Sequence, residues 1–419
     1  MDGTSSILEP NPADICFGVP ADGNVFELEP APPSPGSAPV HLTSCLEELL
    51  KFTLSASLAD DSDVPLRLCR GYCANILRDD PFSSQISLME VGGVPPYPLY
   101  KHLARVLEGC ISPGTFFRER KSVKGLREDD SYEMKQREWD RLIEEKGIEL
   151  VNMLEDVEFE LHVQEPFFSQ LRDGLKTVEG RCATGDYNRI STGSLLLFNK
   201  CLLLKVQHVR HYSSFSEMLE VELADALPGT LTVEEGVQIY RNFYSEEKEK
   251  SNGVLAINVL KEASQPYISL GNLLAGLGCE GIGSLLGMMH TTGTISDPLP
   301  PPRSLLLSSF TQLHRSNVKG CSLAGAARAL SKHVQRSGDG WWGSFSRGDP
   351  EKNKRALEII NYLLNECCWM NMYKIHSHGC VFEIRVHEGY GARWSHDGTK
   401  FIGFLEPYTE EGHSKRWRH

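Results

Sequence analysis

The chain has 419 residues, of which 40% are apolar and 24% charged, and it carries a formal net charge of −13. That length predicts two or three ordinary domains with packed cores, and that charge argues against a protein that coats nucleic acid by bulk positive charge. The charge is uneven, since from Arg303 onward 17 basic residues stand against 11 acidic ones, which suggests a polyanionic partner for the C-terminal part.

Residues 1–40 are rich in Pro, Ser, Gly and acid ("ELEPAPPSPGSAPV") and are expected to be disordered. They lack the basic and apolar parts of a secretory leader, and the 12 cysteines form no CxxC pair, so reduced thiols in the cytoplasm or nucleus are expected, with no metal or other cofactor. Helical periodicity begins at His41. Thr43 or Ser44 can cap "CLEELLKFTL", where Leu46, Leu49, Leu50 and Leu54 share a face. "DVPLRLCRGYCANILRD", "PLYKHLARVLEGC" and "SYEMKQREWDRLIEEKGIELVNMLED" continue it, so residues 41–156 read as a helical domain with no catalytic signature.

At Val157 the period shortens. "VEFELHV", "TVEGR", "SLLLFN", "CLLLKVQHVRHY" and "VLAINVL" read as strands, "EPFFSQLRDGLK" and "TVEEGVQIYRNFYSEE" as helices, and residues 157–261 as a small closed barrel. Residues 262–304 read as a Gly/Pro-rich linker. Within it Ile268 to Met289 is long enough to span a bilayer, but Glu280 in its middle favours a loop with short apolar turns and no membrane. Residues 305–419 read as an α+β domain. The whole is thus an α+β multidomain chain: N-terminal helical domain, central β-barrel and C-terminal α+β domain.

Several patterns compete for chemistry. "GLGCEG" matches GxGxxG through Gly276, Gly278 and Gly281, but a poor strand precedes it. "KIHSHGC" would put His376, His378 and Cys380 on one face if extended, with no fourth ligand for zinc. The basic C-terminal unit holds Trp341, Trp342, Trp369, Trp394 and Trp417, with Arg385, Arg393, Tyr390 and Lys400 nearby, the mixture of rings and cations found in readers of single-stranded nucleic acid. In "DGLKTVEGRCATGDYNRISTGSLLLFN", strand alternation places Glu179 and Arg181 on one face, and Lys176 can join them where the chain leaves a helix. A surface salt bridge is the plainer reading of those charges.

That stretch resembles the signature of the ASCH (ASC-1 homology) domain, approximately GxKxxExR followed by a turn and a glycine–acid–apolar strand. Gly174, Lys176, Glu179 and Arg181 match the first part, Gly193, Leu196 and Phe198 the strand, and "ALPGTLTVEEGVQIYRNFYSEE" with "GVLAINV" is similar to the family's closing helix and strand. The resemblance covers about residues 157–261, and the full arrangement resembles plant RNA-binding ASCH domain proteins. It implies a PUA-like barrel whose cleft binds RNA or a modified nucleotide. Arg181 would offer a forked donor, Lys176 a point charge, and Glu179 an acceptor or an orienting group for Arg181. Tyr187 beside them, and Arg385, Arg393 and Trp394 in the C-terminal unit, complete the candidate RNA contacts. Some bacterial relatives are amidohydrolases acting on acylated cytidine. Lys176 falls on their lysine, but Glu179 stands where they carry threonine, and Glu234 or Glu235 would have to supply the second carboxylate. Ser194 stands where the family often has an acid.

Three functions therefore stand open: an RNA-binding protein, a nucleoside amidohydrolase using Lys176 and Glu179, and a protein-interaction scaffold or cofactor of transcription or RNA processing that takes protein partners through the helical domain.

Overall fold

The computed structural model describes residues 40–82, 92–112, 123, 131–291, 293–314, 322–336, 340–344 and 348–408. Residues 1–39, read as disordered, and Trp417 lie outside these.

The described chain opens with α1 (Leu42–Leu58), α2 (Arg70–Leu77), α3 (Leu99–Ile111) and α4 (Ser131–Glu155). The expected face of α1 is the buried one, with Leu46, Leu49, Leu50 and Leu54 all inside. Its start differs from expectation. His41 holds the cap position without a side-chain bond, and the Ser44 hydroxyl donates back to His41 O. Cys69 is the exposed cap residue of α2 and Cys73 is buried one turn later, so the pair serves packing on one side only.

The middle of the chain forms β1 (Phe159–Leu161), α5 (Phe167–Arg172), β2 (Val178–Cys182), a 3-10 turn (Gly185–Arg189), β3 (Leu195–Phe198), β4 (Leu202–Tyr212), α6 (Phe215–Ala226), α7 (Val233–Arg241), α8 (Glu246–Asn252) and β5 (Val254–Lys261). The strands make one curled sheet in the order β1-β3-β4-β5-β2, antiparallel except for the β1–β3 pair. Instead of a closed barrel this is a half-barrel. β1 is three residues long and β2 pairs only with β5, so the two edge strands face each other across a gap. Helix α6 was not anticipated in the sequence. Ser214 caps it, and Phe215, Met218 and Leu219 bury its inner face.

The two faces of the sheet build two cores. Leu196, Phe198, Leu204, Leu255 and Ile257 on the inner face join one apolar cluster with α1, α3 and α4. Val178, Cys182, Val254 and Ala256 on the outer face pack against Phe215, Met218 and Tyr240 of α6 and α7. The helical region and the half-barrel therefore share a core rather than standing as separate bodies.

The segment read as a loop within a linker is instead a helix, α9 (Pro266–Leu285), interrupted by Gly278 at φ 60. It is long and apolar enough to cross a membrane, yet 61% of its apolar window is buried inside the fold. The glycines of "GLGCEG" have packing work. A Cβ at Gly276 would sit 2.4 Å from Leu142 of α4, and one at Gly281 2.9 Å from Leu277 and 3.1 Å from Trp139 of α4. Close approach of two helices, not a phosphate loop, accounts for that motif.

The C-terminal part contains α10 (Arg303–Thr311), α11 (Gly325–Arg336), α12 (Asp349–Glu366) and a four-stranded antiparallel meander, β6 (Trp369–Ile375), β7 (Gly379–Arg385), β8 (Gly391–Ser395) and β9 (Phe401–Leu405). Helices cover one face of this sheet through Met370, Met372, Phe382, Ile384, Ala392, Trp394 and Phe404. His376 and His378 occupy the turn between β6 and β7, so "KIHSHGC" is not extended. Among the described residues no three His, Cys, Asp or Glu side chains form a group that could hold a metal ion.

Candidate functional site

The charges of the signature stretch converge at the edge of the half-barrel. On β2, Val178 and Cys182 point to the outer core, so Glu179 and Arg181 point inward, opposite Ile257 and Leu255 of β5. An inward charge is tolerated here because β2 is an edge strand, where its neighbours are the gap and the chain beyond β1.

Lys176 is 3% exposed. Its ammonium donates to Val178 O and to Ala226 O, each at 2.6 Å, and lies 3.2 Å from Glu179 Oε2. An ammonium has three donors, and these three partners use them. Ala226 O is the last carbonyl of α6, so Lys176 neutralises the negative end of that helix. Burial pushes its pKa below the ordinary lysine value, opposed by Glu179 and reinforced by Arg181. That direction is what a nucleophilic lysine needs, but the saturated nitrogen has no free lobe for a substrate.

Glu179 is the hinge of the cluster. Its Oε2 faces Lys176 and its Oε1 lies 2.7 Å from Arg181 Nε, an ion pair by distance whose N–H is not directed at the oxygen. Arg181 then reaches across the gap, and its Nη2 donates to His162 O at 2.7 Å, one residue beyond β1. A side chain thus joins the edge strands that the backbone leaves unpaired. The Tyr187 ring lies under the guanidinium at 5.7 Å. Burial opposes the Arg181 charge, but Glu179, Tyr244 and Tyr187 outweigh it and hold the pKa above the ordinary arginine value. Tyr244, in the turn after α7, was not foreseen. Burial pushes its phenol up to about 12, with Arg181 opposing.

Of the expected contacts in this part, Arg181 and Tyr187 thus border the gap, while Lys176 and Glu179 stand behind them. Glu234 and Glu235 lie in the first turn of α7, where Glu235 accepts from the Leu231 N–H; neither forms an ion pair with Lys176, whose carboxylate is Glu179. Ser194 donates to Glu158 at 3.0 Å, so an acid is present beside this position although not at it.

The C-terminal candidates separate. Trp394 is fully buried with its indole N–H on Leu306 O, and no base can stack on it without opening the core. Trp342 is equally buried, donating to Glu406. Trp341 stacks on Tyr390 at 4.2 Å and lines an open cavity of about 310 Å³ with Arg355, Glu358, Ile359 and Tyr362. Arg385 and Arg393 both turn to Glu383 on the sheet face opposite the core. Glu383 and Tyr373 were not foreseen. The pattern that could have revealed them is "FEIRV", where Glu383 and Arg385 alternate on a strand as Glu179 and Arg181 do in "VEGRC".

Two family matches cover separate parts of the chain. Residues 161–263 match the ASCH domain, and residues 314–406 match a family described as CdiA C-terminal tRNase toxin domain. Among solved structures, a hypothetical protein designated PH0355 is 41% identical over 25% of this chain and 97% of its own, at a TM-score of 0.24. Protein PF0455 from Pyrococcus furiosus is 40% identical over 25% of this chain and 97% of its own, at a TM-score of 0.23. No curated protein matches the chain. ASCH domains are generally linked to RNA binding.

Proposed function

Because the chain belongs to the ASCH-domain family through residues 161–263, we propose that it is an RNA-binding protein of the cytoplasm or nucleus whose half-barrel mouth takes a nucleotide against Arg181 and Tyr187. The observation that carries this reading is the Arg181 bridge. A guanidinium held across an unpaired gap, with an aromatic ring beneath it, combines an anion donor with a stacking surface. Glu179 and Lys176 serve as the fixed support that aims Arg181. The saturated ammonium of Lys176 weighs against the amidohydrolase alternative. Protein partners of the helical region belong to the scaffold alternative.

The test is a titration of labelled single-stranded RNA against the full chain at low and moderate salt. Wild type is expected to bind in a salt-dependent way, and Tyr187→Ala and Arg181→Lys to weaken binding about tenfold, a loss of about 1.4 kcal/mol. Affinity unchanged from wild type in both variants would rule out the gap as the binding site.

A second reading concerns the C-terminal part. Its match to a tRNase toxin family supports an RNA-directed, ribonuclease-like role for residues 314–406. Cleavage of a tRNA transcript by the full chain would bear this out, and an intact transcript after prolonged incubation would oppose it.

A further inference from the structure

We propose that the face of the C-terminal sheet turned away from its core is a phosphate-binding site for RNA, with Arg393 and Arg385 as the anion-binding groups and Glu383 as the residue that positions both. The proposal deepens the reading of this part as RNA-directed and rests on it.

Alternation along the strands builds the face. Met370, Met372, Phe382, Ile384, Ala392 and Trp394 enter the core, so Tyr373, Glu383, Arg385 and Arg393 point the other way. Strand register sets Glu383 directly between Asn371 and Arg393, and Arg385 beside Gly391. The absence of a side chain at Gly391 is required, because a Cβ there would stand 2.9 Å from Arg385 Cγ and 2.1 Å from Ile384 O.

The contacts converge on one carboxylate. Arg385 Nε donates to Glu383 Oε1 at 2.6 Å, while Arg393 Nε and Nη2 donate to Oε2 at 2.8 and 2.6 Å. The Tyr373 hydroxyl donates to Oε2 at 2.5 Å and accepts from Arg393 Nη2 at 2.9 Å. Arg385 Nη1 is fixed by Gly389 O and Glu406 O. Arg385 Nη2 and Arg393 Nη1 donate to no described residue.

Charge then decides the matter. Two guanidiniums share one carboxylate, and the tyrosine is neutral because burial and Glu383 raise its pKa. Among the described residues Glu383 is the only carboxylate that pairs with either arginine, which leaves one positive charge in surplus. The Glu383 side chain is 2% exposed, so this surplus sits where water compensates little. Arg393 is the more exposed of the two arginines, its side chain 13% exposed against 8% for Arg385. A tetrahedral anion matches a guanidinium fork and cancels the surplus.

The experiment follows binding of a short single-stranded RNA to the full chain across a salt series, for wild type, Arg393→Ala and Arg393→Lys. Losing one phosphate contact is expected to lower the slope of log K against log salt by about 0.7 in Arg393→Ala. Arg393→Lys keeps the charge without the fork, and is expected to retain the slope while binding about tenfold more weakly. Wild-type binding with unchanged slope and affinity in both variants would overturn the site. If wild type binds no RNA, the reading of this part as RNA-directed fails. Inorganic phosphate then decides the site alone, by comparison with chloride at equal ionic strength. A rise in wild-type Tm that Arg393→Ala abolishes supports it, and an equal response in both overturns it.

Discussion

Glu179 does more for the half-barrel than its contacts suggest, because among the described residues of the half-barrel it is the one carboxylate that faces two cations. Removing it leaves Lys176 buried against two carbonyls with its charge uncompensated. Glu179→Ala is therefore expected to cost about 3–5 kcal/mol in urea unfolding. A loss below about 1 kcal/mol would show that water reaches Lys176 in the native state. Glu383 is the counterpart in the C-terminal sheet and adds a pH dependence. Burial works to raise its pKa, but Arg385 and Arg393, with Tyr373, prevail and hold it below the usual 4.5. The unfolded chain then takes up this proton first as the pH falls. The stabilisation is complete above pH 4.5, and it drains away as the pH drops below that value and through the lower folded pKa. Unfolding free energies of wild type and Glu383→Gln measured across that range should converge toward the acid end. Parallel curves would mean that Glu383 titrates normally.

Strand β2 shows at the level of an element how tightly the mouth is built. A methyl group at Gly180 would lie 2.4 Å from the Tyr240 hydroxyl and 2.9 Å from Met218 Cε, against the backs of α6 and α7. Gly180→Ala is expected to destabilise by about 1–3 kcal/mol through this overpacking. Adding Tyr240→Phe, which removes the nearest atom, should recover part of the loss. If the double variant is no better than the single one, backbone pairing with β5 and not the ring is what excludes a side chain. The elements also show which parts of the fold were legible in the sequence. α1, α3, α4, α12 and the strands β3 to β5 follow from apolar periodicity, since each packs one face on a core made by its neighbours. α9 was not legible, because a glycine-rich helix approaching α4 closely looks locally like a loop. α6 was hidden for another reason, as "SFSEMLEVELADA" mixes acids into a helix that buries only one face. The half-barrel gap was equally invisible, since strand pairing is a property of distant residues. At the candidate site, the motif identified Lys176, Glu179 and Arg181, giving Lys176 and Arg181 to a ligand and leaving Glu179 as a ligand acceptor or an orienting group for Arg181. Only the position of Ala226 O, fifty residues away, shows that Lys176 is committed to holding α6.

Across the whole molecule the same device occurs twice. In "VEGRC" and "FEIRV" a Glu-x-Arg pair on one strand face meets a second cation, Lys176 in one case and Arg393 in the other. Each centre is a buried carboxylate holding two cations, with a tyrosine ring under one guanidinium: Tyr187 below Arg181 and Tyr373 below Arg393. Each centre thus carries one more cation than carboxylate within a chain of net charge −13. One measurement examines directly whether the half-barrel centre contacts RNA. Single-stranded RNA is photo-crosslinked to the full chain and the attached peptides are identified by mass. Crosslinks are expected at Tyr187 or Tyr244, and they should disappear in Arg181→Lys at moderate salt. Crosslinks that avoid residues 161–263 altogether would contradict such contact.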